Sequence, residues 1–463
     1  MRFLLKQKRI GALAKSIFYS TSYFIFFNLI LIKAYILQKI VRQNAENTIV
    51  IPNKDQNVSF YHHVNKEIEP MNINKSVVTP TSGITPANLI TAYNLTIKNK
   101  TTFNPTIVIV NAFCTPTIAN DLNVFSQTYG LPLMNIPNQP VNQSLGTLKI
   151  YYQQRNGTFG LVNNNVTVDT KWGVEIAMDV QYAHAIAPYA DITLILTNNN
   201  SVPSMYAGVQ FGNTLPNVVS MSMSWGLPER YAFNTSVARF PTQDNLLFSK
   251  KNILYCAATG DDGAPAGVIY PSTSSNVCGV GGTSLQMNSS NQIITPIRET
   301  SWSGSGGGRS SIFNSGTSQS NYMTTNKLTS KFGIKHAVSD MCLLANPSVC
   351  IYNTTPPPGT SSGWGFNSNG KPSLYGGTSL SAPMFAAMVA LVIQTKYPTQ
   401  NWTILNLNIR KIIMDSVYIL SNNRDITSGS NGFNASVGFD LVTGMGSPLF
   451  NNLSQYILNN FTN

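Results

Sequence analysis

The sequence predicts an α/β fold, a three-layer sandwich with a mostly parallel central sheet, helices on both faces and long surface loops. Two observations carry this. The runs "TIVIVNAF" (106–113) and "ADITLIL" (190–196) are β-branched or aliphatic almost throughout, which suits strands covered on both faces. Stretches of helical character alternate with such runs: "KWGVEIAMDVQYAHAIAP" (171–188) has helical spacing, and "DNLLFSKKNILYCAATG" (244–260) reads as a helix followed by a strand. Residues 286–370 are rich in glycine, serine and asparagine and read as long surface loops. At 463 residues with 43% hydrophobic composition, the chain can bury a large core.

The formal net charge of +12 is concentrated at one end. Residues 1–46 carry eight Lys and Arg against Glu46 alone, so they supply +7 of it. The remainder shows no basic stripe interleaved with aromatics, which argues against nucleic-acid binding. Five positive charges precede the apolar run "SIFYSTSYFIFFNLILI" (16–32), so residues 1–45 read as a cleaved signal peptide or a signal-anchor, with membrane contact through residues 16–37 if uncleaved. Residues 46–82 read as a polar linker or stalk, and 83–463 as the main domain. Asn-x-Ser/Thr acceptors at Asn94, Asn156, Asn234, Asn288, Asn353 and Asn401 favour a glycoprotein on the secretory route, lumenal or extracellular, secreted or anchored by one N-terminal segment. Of five cysteines, Cys342 and Cys350 are close enough to bridge a loop, and Cys256 could pair with Cys278 if their strands adjoin.

Catalytic sites of open α/β sheets form where strands deliver loops at their carboxyl ends. The segment "GGTSLSAP" (376–383) reads as a tight turn placing Ser379 on the first turn of a long apolar helix. A serine hydroxyl needs a base to act as a nucleophile. The four histidines offer none with a good context: His62 and His63 lie in the linker, His184 faces away from Asp179, and His336 has no partner identifiable in the sequence. Glu175 and Asp179, four apart, stack on one helix face within an apolar setting. Two carboxylates so close cannot both ionise cheaply, so the pair can share a proton and accept one from Ser379. Asp261, in the turn after "NILYCAA", can be held protonated in a partly dry site and donate to an oxyanion.

These motifs, together with "ITPANLITAYNL" (84–95), "SMSWGLPE" (222–229), "ETSWSGSGGGRS" (299–310) and "GFDLVTGMGSP" (438–448), resemble the sedolisins (serine-carboxyl peptidases) in the family's own order, from residue 84 to the C-terminus. The resemblance implies a subtilisin-like fold and a serine-type endopeptidase or tripeptidyl-peptidase acting on polypeptides as a monomeric catalytic domain. It implies Ser379 as nucleophile, Glu175 as general base and acid, Asp179 as its partner and Asp261 as oxyanion-stabilising acid. Ser224, Trp225 and Gly226 resemble the edge that pairs with substrate backbone. One calcium ion is implied at Asp425 and Asp440, with the carbonyls of Ile426, Ser436 and Gly438. The chain departs from the family at Asp262, where serine is usual, and residues 1–83 fall short of the domain-sized prosegment the resemblance implies. The alternative expectation is a catalytically silent binding protein on the same fold.

Overall fold

The computed structural model describes residues 61–62, 65–67, 83–229, 240–290, 292–357, 360–365 and 372–461. The expected signal or anchor therefore lies outside the described residues. In chain order the strands are β1 (Tyr61–His62), β2 (Asn65–Glu67), β3 (Thr106–Ala112), β4 (Leu148–Gln153), β5 (Phe159–Gly160), β6 (Asp191–Thr197), β7 (Val218–Met223) and β8 (Trp225–Pro228). They continue with β9 (Leu254–Ala258), β10 (Ile269–Tyr270), β11 (Val277–Leu285), β12 (Glu299–Ser301), β13 (Gly308–Asn314), β14 (Lys335–Val338), β15 (Met341–Asn346), β16 (Val349–Cys350) and β17 (Leu374–Gly376).

Nine strands form the central sheet. Its parallel body runs β15, β11, β9, β7, β3, β6, β4, with β12 and β5 antiparallel at the margins. β3 is buried on both faces, as its unbroken apolar run requires. Ile107 and Ile109 join the core shared with helices α1 (Thr170–Ile186) and α3 (Thr378–Lys396). Val108 and Val110 face helix α2 (Val202–Gly212) on the other side, where a Cβ on Gly208 would come within 2.8 Å of Val110. This is the sandwich expected, with α1 and α3 packed together over one face of the sheet.

α3 is long and apolar enough to cross a membrane by composition, yet 94% of that stretch is buried, so it is the central core helix. Each of its buried Leu, Ile, Val, Met and Phe side chains contributes about 1.5–3 kcal/mol of transfer free energy.

Two expectations require correction. The 286–370 region is not all loop: β15 is a buried strand of the central sheet, and β12, β13, β14 and β16 also fall there. Its "MCLLA" run is short and set among serine and asparagine, so composition masked it. The cysteine pairs are not bridged. β9 and β11 do adjoin, with Cys256 opposite Cys278, but all five thiols are free and buried. Side chains of paired strands stand roughly perpendicular to the sheet, so Cys256 and Cys278 lie side by side on one face rather than pointing at each other.

Candidate active site

Three elements meet around Ser379. The first is α1, which starts where the Asp169 carboxylate accepts the backbone N–H groups of Lys171 and Trp172, both at 2.9 Å. Nearly the whole helix is buried, so Glu175 and Asp179 have no solvent face. The Asp179 carboxylate accepts from Asn111 Nδ2 at 2.9 Å and from Ser224 Oγ at 2.8 Å. Burial pushes Asp179 up to about 7 against those hydrogen bonds. Burial, then the neighbouring Asp179 charge, pushes Glu175 well above the usual carboxylate range. Neither Glu175 oxygen has a hydrogen-bond partner, whereas Asp179 has two donors. When the pair holds a single charge, these donors favour Asp179 as the carboxylate.

The second element is α3. Gly377 precedes it at φ 105°, a left-handed conformation that only glycine adopts without strain, so the chain can turn from β17 directly into the helix. Ser379 is consequently in the first turn, fully buried. Its hydroxyl lies 3.4 Å from the Ser224 carbonyl oxygen. Ser379 is near enough to Glu175 to favour the ionised carboxylate, but with the hydroxyl turned to Ser224 the serine–glutamate hydrogen bond is not made in this geometry. Such bonds are often loose before substrate binds.

The third element is the turn after β9. Asp261 Oδ1 accepts both the backbone N–H and the hydroxyl of Thr378, each at 2.8 Å. Oδ2 is shut off from solvent and has no partner. Burial raises the Asp261 carboxyl to about 7, opposed by the Thr378 bonds and reinforced by the charge of exposed Asp262.

Ser224, expected on the edge that pairs with substrate backbone, gives its hydroxyl to Asp179. Trp225 anchors its indole on the Val110 carbonyl at 2.7 Å. Trp225 and Gly226 open β8, whose two edges pair with β10 and β1. Asn111 and Thr378 were not singled out from the sequence. The signal was there for both: Asn111 is the lone polar group in the second half of an apolar run, and Thr378 adjoins Ser379.

The histidines take separate paths. His184 is buried with Nε2 2.9 Å from the Pro132 carbonyl. His336 does have a partner, Asp340 at 3.3 Å, and its Nδ1 meets the Thr273 carbonyl at 3.0 Å. His62 reaches the site, with Nδ1 3.8 Å from Glu175 Oε2, so it meets the carboxylate rather than supplying the serine's base.

At the expected calcium position, Asp425 Oδ2 accepts the Gly438 N–H and Asp440 Oδ2 the Ser436 N–H, both at 2.9 Å. Asp425 Oδ1 is buried without a partner, and burial raises Asp440. Two carboxylates turned onto one loop fit a hard cation that takes oxygen donors. Among the described residues no group of three or more His, Cys, Asp or Glu side chains converges as a metal site, so carbonyls would have to complete this one.

The subtilase family model matches residues 178–440, which contain Asp179, Asp261 and Ser379. The chain belongs to the subtilase family. Among subtilase relatives it is 28% identical over 301 residues to kumamolisin of Bacillus sp. (strain MN-32), a match covering 61% of this chain and 50% of that protein. It is 36% identical over 85 residues to tripeptidyl-peptidase sed1 of Aspergillus fumigatus, covering 17% of this chain and 12% of the other. The chain thus spans half or less of the length of the curated relatives it matches. A structure of Pseudomonas sedolisin (serine-carboxyl proteinase) complexed with two molecules of pseudo-iodotyrostatin superposes with a TM-score of 0.61 at 21% identity, covering 82% of this chain and 99% of that one. The fold of this subtilase is therefore sedolisin-like, as its motifs suggested.

Proposed function

We propose that this subtilase is an acid-active serine-carboxyl peptidase, an endopeptidase or tripeptidyl-peptidase that hydrolyses polypeptides through an acyl-enzyme. The observation that carries the reading is the asymmetry of Asp261: one oxygen is saturated by Thr378, the other is buried and free beside the start of α3. A carboxyl so placed holds a proton on the free oxygen and donates it to a developing oxyanion, together with the Ser379 N–H. Glu175 removes the Ser379 proton as the hydroxyl attacks the peptide carbonyl. For that step Glu175 must be ionised, which the pair achieves by passing its proton to Asp179. Glu175 then protonates the leaving amine, and water releases the acyl group by the reverse sequence. The relatives named above support polypeptide substrates, and the N-terminal reading supports a secreted or anchored enzyme.

The sign of the pH dependence follows from Asp261. Its proton is present below about 7 and lost above it, so oxyanion stabilisation falls as pH rises through neutrality, while Asp179, also raised to about 7, sets the opposing acid limb where the Glu175–Asp179 pair takes a second proton. Asp261→Asn keeps a donor of similar shape that never ionises. It is expected to lower kcat by about 10²–10³-fold while removing the limb of the kcat profile centred near pH 7. A variant whose alkaline limb is unmoved shows that another group sets it.

Calcium, held by Asp425, Asp440 and the carbonyls of Ile426, Ser436 and Gly438, would neutralise two converging carboxylates and pin the 425–440 loop. Chelation is expected to lower Tm by several degrees, about the 1–3 kcal/mol of a site occupied well above its Kd. Added Ca²⁺ should restore it, and Asp425→Ala should abolish the response in differential scanning fluorimetry.

A further inference from the structure

The amino ends of β9 and β11 open into a cavity of about 230 Å³, walled by Leu254 and Val277 where those strands begin. The turn carrying Asp261 leaves β9 at its opposite end, so this space belongs to a different part of the molecule from the catalytic groups. Two helices close it, Thr317–Thr325 and Ile409–Val417, and Met414 of the second adds an apolar side chain. Its volume far exceeds the ~10–15 Å³ that one water needs and falls just below the ~300 Å³ of the smallest drug-sized pockets. It suits a molecule the size of an acylated amino acid.

Most of the charge on its wall is already matched. The buried Asp340 carboxylate accepts from the Gly279 N–H, Gln319 Nε2, the Tyr418 hydroxyl and His336 Nε2. Both neighbours of the His336 ring, Asp340 and the Thr273 carbonyl, are acceptors, so the ring carries both protons and forms with Asp340 an ion pair without net charge. Lys411 is paired with Asp415, which also takes the Ser318 hydroxyl. Arg410, which lines the same cavity, differs. Its Nη1 donates to the Phe248 and Asn276 carbonyls at 2.7 and 3.4 Å, while Nε and Nη2 have no partner among the described residues. Those two nitrogens form one side of the guanidinium fork, the side that matches the two oxygens of a carboxylate. Asp244 is the acid whose field reaches Arg410. Its Oδ2 takes Ser274 and Asn276, and burial raises it to about 6. Below that pH it is mostly neutral, and the Arg410 charge stands unmatched.

We propose that this cavity is a binding site for a small monocarboxylate with a compact apolar body, its head on Arg410 and its body against Leu254, Val277 and Met414. A singly charged head matches the one free side of the guanidinium. A phosphate dianion would bring a second charge toward Asp340 with no second cation to meet it, because Lys411 is already paired with Asp415. Free acylated amino acids and short peptides ending in an apolar residue both present this chemistry. Occupancy is independent of the peptidase reading, since none of Glu175, Asp179, Asp261 and Ser379 lines the cavity.

The test uses the full chain carrying Ser379→Ala at about pH 5, where the probe N-trifluoroacetyl-leucine is ionised. Broadening of its fluorine resonance on titration gives Kd. N-trifluoroacetyl-leucinamide, the same body without the charge, is expected to bind about tenfold more weakly. Arg410→Gln should weaken the acid by about the same factor and leave the amide unchanged, which also reports that the variant is folded. Met414→Trp keeps Arg410 and its carbonyl bonds but fills the space, and should abolish binding of both probes. Displacement by acetyl-Ala-Ala-Leu would assign the site to peptide C-termini, and displacement by N-acetyl-leucine alone to free small acids. Equal affinity for acid and amide overturns the proposal, as does acid binding that survives both Arg410→Gln and Met414→Trp. Displacement of the acid by equimolar phosphate overturns it too, marking a site for anions in general.

Discussion

Purified full-length protein carrying Ser379→Ala is expected to hydrolyse denatured protein at mildly acidic pH on the order of 10⁶-fold more slowly than the unaltered chain, with unchanged circular dichroism. The size of the effect follows from what the side chain would do. The hydroxyl forms the acyl bond, so its removal leaves only oxyanion stabilisation and binding. The fold should tolerate the change: Ser379 Oγ makes one long contact, 3.4 Å to the Ser224 carbonyl, and alanine is the best helix former. Equal hydrolysis by the two proteins would point to the other expectation, a silent binding protein that keeps the subtilase fold. Rates measured beside the Asp261→Asn variant, which lacks that pH limb, would then trace any residual activity to a contaminant.

Glu175→Gln should cost about 10²–10⁴-fold in kcat, the range for loss of a positioned acid–base group. The amide matches the carboxyl in volume, so the buried site keeps its packing while losing the ability to take a proton. Asp179 would remain, hydrogen-bonded to Asn111 and Ser224 and too committed to replace it. His336→Ala is the informative companion. Both His336 nitrogens are engaged, by the Thr273 carbonyl and by Asp340, so its loss should lower Tm and leave kcat intact. The reverse pattern, a silent His336→Ala and an active Glu175→Gln, would mark a histidine-dependent hydrolase.

The sequence disclosed the catalytic elements because each carries its own local signature. β3 announces itself by its unbroken apolar run, α1 by its helical spacing, and Ser379 by the glycines that let the chain turn ahead of it. Glu175 and Asp179 were legible because two acids on an otherwise apolar helix conflict with burial unless they act together. What stayed hidden depends on tertiary pairing. His62 sits in a polar stretch, and only the register of β1 on β8 brings it to Glu175. The Asp340 partner of His336 lies four residues on, a spacing that suggests a helix, yet the pair spans the end of β14 and the turn into β15. β15 was obscured by its surroundings: its burial comes from β11 and α3, neither of which its own composition reveals.

The five free cysteines carry a consequence for where this domain can persist. None is tied to another, and burial raises the thiols of Cys114, Cys256, Cys278, Cys342 and Cys350, the last to about 12. Exchange chemistry needs an accessible thiolate, and these groups offer almost none at physiological pH. The domain is held by packing and hydrogen bonds without covalent cross-links. Oxidising and reducing surroundings therefore act on it alike, and its cohesion is indifferent to redox potential.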